Sequence, residues 1–317
     1  MTDIPITVLM SVRNGEPYVE DSVRSVLAQT YGDFRFRIVD NASTDHTLEI
    51  IRGFTDPRIE LTELPSDIGQ TGALNLALDQ IETPYVARID ADDVSMPDRF
   101  QAQVSFLSEN PDVVLLGCGY EIINEDGRSL GKQVPPKIHD DVLAMMLFEN
   151  PFAHSTVMVE TEQVKACGGY PEFQFAQDFA LWWKLGRRGR VHCLPDCLVQ
   201  VRFHTGQSTH VFGPELAEEP YRVVREVLDS PGRLPESIRG LCRRAARYAE
   251  MKRGALLADV SSRIRGLLAL LVEPGLLTNR GARDYAVRLC LGKTGYDWTK
   301  RFKQVLVGQS QVKRSSG

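Results

Sequence analysis

Short apolar runs alternate with segments of helical period from Ile6 to Asp93 of this 317-residue chain. The runs have the length and the Val, Ile and Phe content of buried strands, and the intervening segments place apolar residues three and four positions apart. This β-α-β-α-β-α-β alternation predicts a parallel sheet with helices on both faces. The predicted strands are Ile6–Val12, Phe34–Val39, Ile59–Leu64 and a run from Tyr85, and the predicted helices are Pro17–Gln29, one capped by Ser43, and Gly69–Ile81.

Polar side chains follow three of these predicted strands. The clusters are Ser11–Asn14, Asp40–Asp45 and Asp90–Asp93. Ligands of such sheets bind at the carboxyl ends of the strands. We therefore expect the three clusters to converge on one cleft.

The cluster after Tyr85 is the most acidic, with carboxylates at Asp90, Asp92 and Asp93. Crowded carboxylates raise each other's pKa unless a cation lies among them. Hard divalent cations such as Mg²⁺ and Mn²⁺ take oxygen ligands and bridge carboxylates to phosphates. The cluster thus predicts a divalent metal site. A second interpretation is a solvated acidic turn that caps the next helix, with Pro97 in its first turn.

The rest of the chain predicts further α/β structure and then helices. A helical pattern follows Pro214, so we expect an α/β domain over residues 1–212 and a helical region over 213–317. Between these, the predicted helices are Met96–Asn110, His139–Phe148 and one beginning near Asp178, and the predicted strands are Val113–Gly117, Val191–Leu194 and Leu198–Arg202, with a hairpin around Asp126-Gly127.

Composition narrows the class of protein. The chain is 43% apolar and 25% charged, as in soluble globular proteins. Its start lacks the basic and apolar segments of a signal peptide, and its scattered cysteines suggest reduced thiols, so we expect a cytoplasmic protein. Cys193 and Cys197 lack the second pair of a zinc site, which favours core cysteines. The first strand is followed by neither a phosphate-binding P-loop nor the dinucleotide glycine fingerprint.

Charge is distributed unevenly along the chain. From Arg239 to Gly317 there are 17 Lys or Arg and 5 Asp or Glu, a net of +12, which leaves −17 on the remainder and −5 in all. Apolar residues interleave with these cations in Ile264–Val272 and Lys300–Lys303. Such a region predicts either contact with an anionic membrane surface, or packing on the acidic body or on another subunit. It contains no recognisable nucleic-acid-binding module.

Several motifs stand in order between Ile6 and Ser208: Ser11-Val12-Arg13-Asn14-Gly15, Val39-Asp40-Asn41-Ala42-Ser43-Thr44-Asp45, Ala73-Leu74-Asn75, Ala87-Arg88-Ile89-Asp90-Ala91-Asp92-Asp93, His154-x-Thr156-x-Met158, Gly168-Gly169-Tyr170, Gln177-Asp178-x-x-Leu181-Trp182 and Arg202-x-His204. Their order and spacing resemble the inverting family 2 glycosyltransferases. The resemblance implies a GT-A fold, a mostly parallel sheet flanked by helices. It also implies a nucleotide-sugar donor, a divalent metal (Mn²⁺ or Mg²⁺), and a glycan or lipid-linked acceptor in bacterial surface-glycan synthesis.

The resemblance also assigns roles to individual residues. Asp178 takes the place of the general base, and Asp92, with His204, that of the metal ligands. Asp40 stands where the family binds the nucleobase. The implied nucleotide-binding residues are Ser11, Val12, Arg13, Asn14, Asp40, Arg88, Asp90, Ala91 and Asp92, and those implied on the acceptor or diphosphate side are His154, Gln177, Trp182 and Arg202.

Alternatives remain open for both the residues and the function. Asp178 is also a helix N-terminal aspartate, which is common and stabilising, and His154 and Trp182 also suit a core. The chain departs from the family at Asn41 and Gln177, where an acid is usual. A degenerate nucleotide-sugar-binding paralogue is a second function. A sugar nucleotidyltransferase is a third, although Ser11–Gly15 lacks that class's glycine- and arginine-rich loop.

Overall fold

The structure is a computed structural model that describes residues 4–206, 215–229, 234, 236–239 and 241–256. Its strands are β1 Ile6–Val12, β2 Phe34–Asp40, β3 Ile59–Glu63, β4 Tyr85–Arg88, β5 Val94–Ser95, β6 Val113–Ile123, β7 Ser129–Gln133, β8 Met158–Glu160 and β9 Arg190–Arg202. Its helices are α1 Val19–Leu27, α2 Thr47–Arg52, α3 Gly69–Leu78, α4 Arg99–Glu109, α5 His139–Met146, α6 Thr161–Ala166, α7 Gln177–Gly186, α8 Glu215–Asp229, α9 Glu236–Arg239 and α10 Cys242–Leu256, with a 3-10 turn at His154–Thr156.

The strands form one mixed sheet in the order β3-β2-β1-β4-β8-β6-β9-β5, with β7 paired to β6. The first four strands are parallel, and their register aligns Ile6 with both Phe34 and Tyr85. Because β1, β2 and β4 start level, the loops that follow them leave from the same edge of the sheet. Strand β8 then pairs antiparallel with both β4 and β6, and so brings the later half of the chain beside the β4 end.

The core forms where the sheet meets its helices. All seven residues of β1 are buried, as the continuous apolar run predicts for a central parallel strand. Helix α1 buries Val19, Val23 and Val26, which repeat at helical spacing, and α4 contributes Phe100 and others to the same cluster. This packing fixes the strand ends from which the candidate site is built.

Some sequence-based boundaries were wrong for local physical reasons. Ser43 is not the cap of α2, because the helix begins four residues later and the Ser43 Oγ instead accepts a hydrogen bond from the Asn14 backbone N at 3.0 Å. The two strands predicted at Val191–Leu194 and Leu198–Arg202 are one strand, β9, whose pairing with β6 shifts register around Gly119. There a Cβ would lie 3.0 Å from the carbonyl oxygens of two β9 residues.

The chain divides into two compact units, Met1–Val211 with Arg233–Ile238, and Phe212–Gly232 with Arg239–Gly317. The predicted division into domains at residue 212 stays a prediction. The basic stretches Ile264–Val272 and Lys300–Lys303 lie outside the described residues. Among the helices that the structure describes, none has the length and apolar character needed to cross a membrane.

Candidate active site

Hydrogen bonds join the loop after β1 to the loop after β2. The Asn14 backbone N donates to Ser43 Oγ, and the Asn14 Oδ1 accepts from the Thr44 backbone N at 2.8 Å. Asn14 and Ala42 both adopt left-handed backbone, with φ of 56° and 58°. Asparagine tolerates this conformation, whereas alanine is strained in it. Two of the three polar clusters predicted from the sequence therefore lie side by side.

Asp40 lies beneath these loops, with only 2% of its surface exposed. Its Oδ2 accepts a hydrogen bond from the Ser43 backbone N at 3.1 Å. Its Oδ1 is buried and has no hydrogen-bond partner among the described residues. A buried acceptor left without a donor is costly, so this oxygen is suited to receive an N–H from a ligand.

The other residues of this edge have mixed exposure. Arg13 is half-exposed and its Nη1 lies 3.0 Å from Asp67 Oδ2. Asn41 is buried and donates from Nδ2 to Asp67 Oδ1 at 2.8 Å, so an amide suits this position where a second acid would repel Asp67. Ser11 and Val12 are buried, and their part in nucleotide binding stays a prediction.

Arg88 lies fully buried under the acidic cluster. Its Nη2 pairs with Asp90 Oδ1 at 2.5 Å, and its Nη1 donates to the Leu9 carbonyl oxygen at 3.1 Å and to that of Ile89. These bonds engage the guanidinium within the protein, and the predicted contact of Arg88 with a nucleotide stays a prediction. Its role is to neutralise Asp90 from below.

The three carboxylates after β4 differ in their main partners, although Ser155 interacts with both Asp90 and Asp93. Burial opposes ionisation of Asp90, but Arg88, with smaller help from His154 and Ser155, holds its pKa below the usual range. Burial, followed by the charges of Asp92 and Asp90, raises the pKa of Asp93 well above its usual range. Asp93 Oδ1 accepts from the Arg202 backbone N at 2.9 Å. Only Asp92 is left to face the loop that follows β9.

In that loop, His204 Nε2 lies 3.0 Å from Asp92 Oδ2. The His204 side chain is 15% exposed and that of Asp92 is 25% exposed, so both can be reached from solvent. The ring of Tyr18 packs against the imidazole, with centroids 4.8 Å apart. This pair brings together two residues that are 112 positions apart in the sequence.

Arg202 is built into the same region and does not point freely toward a ligand. Its Nε donates to the Asp92 carbonyl oxygen at 3.0 Å and its Nη1 to the Glu125 carbonyl oxygen at 3.1 Å. Its guanidinium also lies 4.5 Å from the centre of the Tyr18 ring. These bonds tie the end of β9 to the acidic turn, and the predicted phosphate contact of Arg202 stays a prediction.

Asp178 lies in the first turn of α7, as predicted. Its Oδ1 accepts from the Phe179 backbone N at 2.6 Å and its Oδ2 from Asn150 Nδ2 at 3.0 Å. Burial is the largest influence and raises the pKa of Asp178 to about 6, and the charge of Asp90 adds to the rise against both hydrogen bonds. The carboxylate is therefore held in one orientation and accepts protons near neutral pH.

The other residues predicted on the acceptor side have protein partners of their own or lie buried. His154 Nε2 lies 3.0 Å from the Tyr170 hydroxyl, and burial, with Arg88 next, lowers the pKa of His154 to about 3, so its ring is neutral. Gln177 donates from Nε2 to Gln70 Oε1 at 2.9 Å, while its buried Oε1 lacks a partner within the described part of the chain. Trp182 is fully buried, as the alternative of a core position predicted, and its tentative part on the acceptor side stays a prediction.

The sequence of this chain is similar to those of known glycosyltransferases. The sequence model of Glycosyl transferase family 2 matches residues 7–160. The O-antigen biosynthesis glycosyltransferase WbnJ of Escherichia coli is 32% identical over 206 residues, which cover 63% of this chain and 80% of that protein. The chain belongs to glycosyltransferase family 2.

One more relative and two solved structures are also similar to this chain. The amylovoran biosynthesis glycosyltransferase AmsE of Erwinia amylovora is 29% identical over 62% of this chain and 75% of its own. Among solved structures, S. aureus TarS 1–349 in complex with UDP-GlcNAc matches with a TM-score of 0.65 and 18% identity, over 84% of this chain and 80% of that one. The mannosyltransferase PcManGT of Pyrobaculum calidifontis, solved with GDP-Man and Mn²⁺, matches with a TM-score of 0.60 and 19% identity, over 92% of this chain and 85% of that one.

The predicted family, the GT-A fold class and the enzyme class are thus confirmed. The chain is a glycosyltransferase of family 2. Among the described residues, no group of three or more His, Cys, Asp or Glu side chains is arranged so that it could hold a metal ion. Asp92 and His204 nonetheless fit one, because a carboxylate and an imidazole 3.0 Å apart are donors that Mn²⁺ accepts.

The sequence reasoning missed several residues of this glycosyltransferase site. Tyr18 packs on His204, Ser155 Oγ accepts a hydrogen bond from the Asp90 backbone N at 2.8 Å, and Asn150 Nδ2 donates to Asp178. Asn150 stands directly before the His154 motif, so its position in the sequence was a usable signal. Tyr18 carried none, because its contact depends on the β9 loop.

Proposed function

We propose that this chain is an inverting glycosyltransferase. It moves a hexose or N-acetylhexosamine from a UDP-linked donor to a glycan or lipid-linked acceptor, with Asp178 as general base. One observation carries the proposal: the carboxylate of Asp178 is held by two hydrogen bonds and its pKa lies near 6, close to the working range of a base. Relatives named for O-antigen and amylovoran biosynthesis support a surface-glycan product.

The donor would occupy the edge formed by the ends of β1, β2 and β4. The unpaired Oδ1 of Asp40 would accept the imide N–H of uracil, and the Asn14 and Ser43 loops would enclose the base and ribose. Asp92 and His204 would hold the divalent metal, which when bound supplies positive charge that offsets the charge of the leaving diphosphate. Asp90, already paired with Arg88, supports this turn from beneath.

The transfer itself would be a single displacement. The acceptor hydroxyl oxygen attacks the anomeric carbon from the face opposite the diphosphate, and its proton passes to an Asp178 oxygen. The bond from the anomeric carbon to the diphosphate oxygen breaks and the electron pair leaves with the diphosphate. An α-linked donor therefore gives a β-linked product, and no covalent sugar–enzyme intermediate forms.

A panel of nucleotide sugars tests the donor side directly. Calorimetry with UDP-glucose, UDP-galactose, UDP-N-acetylglucosamine, UDP-N-acetylgalactosamine and GDP-mannose, each with and without Mn²⁺, is expected to show metal-dependent binding of a UDP sugar. Asp92→Asn is expected to weaken it by about 10–100-fold, the scale seen when metal-site residues are changed. Asp112→Asn is the matched control, because Asp112 pairs with Arg190 on the exposed surface.

The outcomes separate the candidate functions. Metal-dependent binding followed by release of UDP supports the enzyme, and binding without any turnover in the presence of acceptors would favour the non-catalytic paralogue. Equal binding by Asp92→Asn and the parent would remove Asp92 from the metal site. Preference for GDP-mannose would correct the proposed nucleotide.

The basic region after Arg239 gives a proposed partner of its own. Its net charge of +12 suits an anionic membrane that carries a lipid-linked acceptor, or a contact with the acidic body or another subunit. Co-sedimentation with vesicles of phosphatidylglycerol and phosphatidylcholine, at low and at high salt, distinguishes these. Binding to the vesicles that weakens as salt is raised supports contact with an anionic membrane. No binding to the vesicles at low salt supports packing on the acidic body or on another subunit.

A further inference from the structure

Asn150 is an exposed residue whose side chain reaches the proposed base. It stands between α5 and the 3-10 turn, and the nitrogen and oxygen of its side-chain amide bind different partners. The Nδ2 donates to Asp178 Oδ2 at 3.0 Å, and the Oδ1 accepts from the Phe152 backbone N at 3.2 Å. The second bond holds the amide in a local turn around Pro151, and the first then fixes the carboxylate.

We infer that Asn150 is a positioning residue for the transfer reaction, fixing the orientation of the Asp178 carboxylate toward the acceptor hydroxyl. This inference rests on the proposed function, in which Asp178 is the base. The Phe179 backbone N anchors one carboxylate oxygen and Asn150 anchors the other, so rotation of the carboxylate is blocked at both ends. A general base must lie within hydrogen-bond reach of the proton that it takes, and small errors of position reduce rate strongly.

The surroundings of Asp178 show why a neutral donor is suitable there. Asp90 from the end of β4 is the charged group that acts on Asp178, and Tyr170 from the loop before α7 is a titratable neighbour that interacts with it. Burial raises the pKa of Tyr170 far above neutrality, so its hydroxyl stays protonated. A cation at position 150 would hold Asp178 ionised but would also weaken it as a base, whereas an amide orients the carboxylate and leaves its affinity for protons near neutral pH.

Two substitutions separate positioning from a purely structural role. Asn150→Ala removes both hydrogen bonds. Asn150→Asp keeps an oxygen for the Phe152 backbone N and so preserves the turn, but it replaces the donor by a second carboxylate. Asn110→Ala is the control, because Asn110 donates to the Phe106 carbonyl oxygen at the end of α4.

The first readout is the titration of Asp178 itself, followed by carbon NMR of aspartate-labelled full-length protein and assigned by the signal lost in Asp178→Asn. Loss of one hydrogen bond to the charged form is expected to raise the midpoint by about one pH unit in Asn150→Ala, and the added like charge in Asn150→Asp by more. Asn110→Ala is expected to match the parent. Equal midpoints in the parent and both Asn150 variants would overturn the inference.

The second readout is the pH profile of UDP release from the most rapidly used of the UDP sugars in the panel. Both Asn150 variants are expected to lower kcat by about tenfold, with the KM for the donor unchanged. The acid limb of the profile, where kcat falls because Asp178 is protonated, is expected to move to higher pH. If Asp178→Asn transfers sugar at the parent rate, the proposed function fails. If Asp178→Asn is inactive while Asn150→Asp keeps the parent profile, only the inference about Asn150 fails.

Discussion

The end of β4 and the start of α7 each present an aspartate at the candidate site, and the two carboxylates have opposite electrostatic settings. Asp90 lies against the buried guanidinium of Arg88, and its pKa is held below the usual range despite its burial. Asp178 is held by two neutral N–H donors, and burial raises its pKa to about 6. Residue type is the same, so the neighbouring charge decides which carboxylate stays ionised and which can take a proton.

The largest expected effect comes from removing the proton-accepting carboxylate. Asp178→Asn keeps the shape of the side chain but not its basicity, so kcat is expected to fall by about 10²–10⁴-fold with donor affinity unchanged. Stability should change in the opposite sense. A carboxyl group with a raised folded-state pKa favours folding at low pH and loses that contribution as pH rises through about 6, so the variant is expected to gain on the parent above that pH.

Single-turnover kinetics measure the loss of transfer rate, and urea unfolding at pH 5 and pH 8 measures the change in stability. Asp112→Asn, with its exposed carboxylate, is the control for loss of a charge. Transfer by Asp178→Asn at nearly the parent rate would remove Asp178 from the mechanism. If the stability of the variant relative to the parent does not increase between pH 5 and pH 8, the raised pKa of Asp178 is contradicted.

The next effect comes from removing the cation that distinguishes the β4 end. Arg88→Met leaves Asp90 without its partner and is expected to destabilise the fold by about 3 kcal/mol at pH 7. Asp90 has a depressed pKa in the folded parent, so its contribution is present above the unfolded value of about 3.9 and is lost as pH falls through the lower folded value. The difference between variant and parent should therefore shrink on acidification.

Urea unfolding at pH 7 and near pH 3 checks this. The double variant Arg88→Met with Asp90→Asn removes both charges and is expected to recover part of the lost stability, since no unpaired carboxylate remains. If Arg88→Met is as stable as the parent at pH 7, or if the double variant recovers nothing, the pair is not what holds Asp90 ionised.

The same two regions show what could be read from the sequence and what could not. Strands β1 and β4 were predictable because a buried parallel strand is a continuous apolar run, and the convergence of their polar ends followed from the topology. The partners of the individual carboxylates could not be predicted. His204, the partner of Asp92, is 112 residues away, and its position depends on where β9 pairs. For Trp182 the sequence left both a core position and an acceptor contact open, and the packing of α7 shows that the side chain is buried.

A smaller effect is expected from adding a second carboxyl group at the start of α7, which makes it more like the acidic end of β4. Gln177→Glu restores the acid that is usual in the family and places a carboxyl group beside Asp178. The added charge is expected to raise the pKa of Asp178 and move the acid limb of kcat upward by about one pH unit, so activity near pH 6 falls several-fold. Gln177→Met, of similar length and without charge, is the control for the loss of the hydrogen bond to Gln70. An unchanged limb in Gln177→Glu would show that position 177 does not act on the base.

The smallest expected effect concerns the donor side alone and depends on backbone strain. Ala42 has a φ of 58°, a conformation that costs an L-residue with a Cβ roughly 1–2 kcal/mol and glycine almost nothing. Ala42→Gly also makes the unfolded chain more flexible, which removes about 0.4–1 kcal/mol of the gain. The net stabilisation should be about 0.5–1 kcal/mol, visible as a higher urea midpoint with the same slope.

Asn14→Gly is the matched comparison, because Asn14 has nearly the same φ of 56° but its Oδ1 accepts from the Thr44 backbone N. Asparagine already tolerates this conformation, so its replacement loses a hydrogen bond and relieves little strain, and Asn14→Gly is expected to be less stable than the parent. The acid limb of the pH profile should be the same in both variants, because neither residue contacts Asp178. Destabilisation by Ala42→Gly would mean that the loop is not strained, and a shifted acid limb would mean that the two regions are coupled.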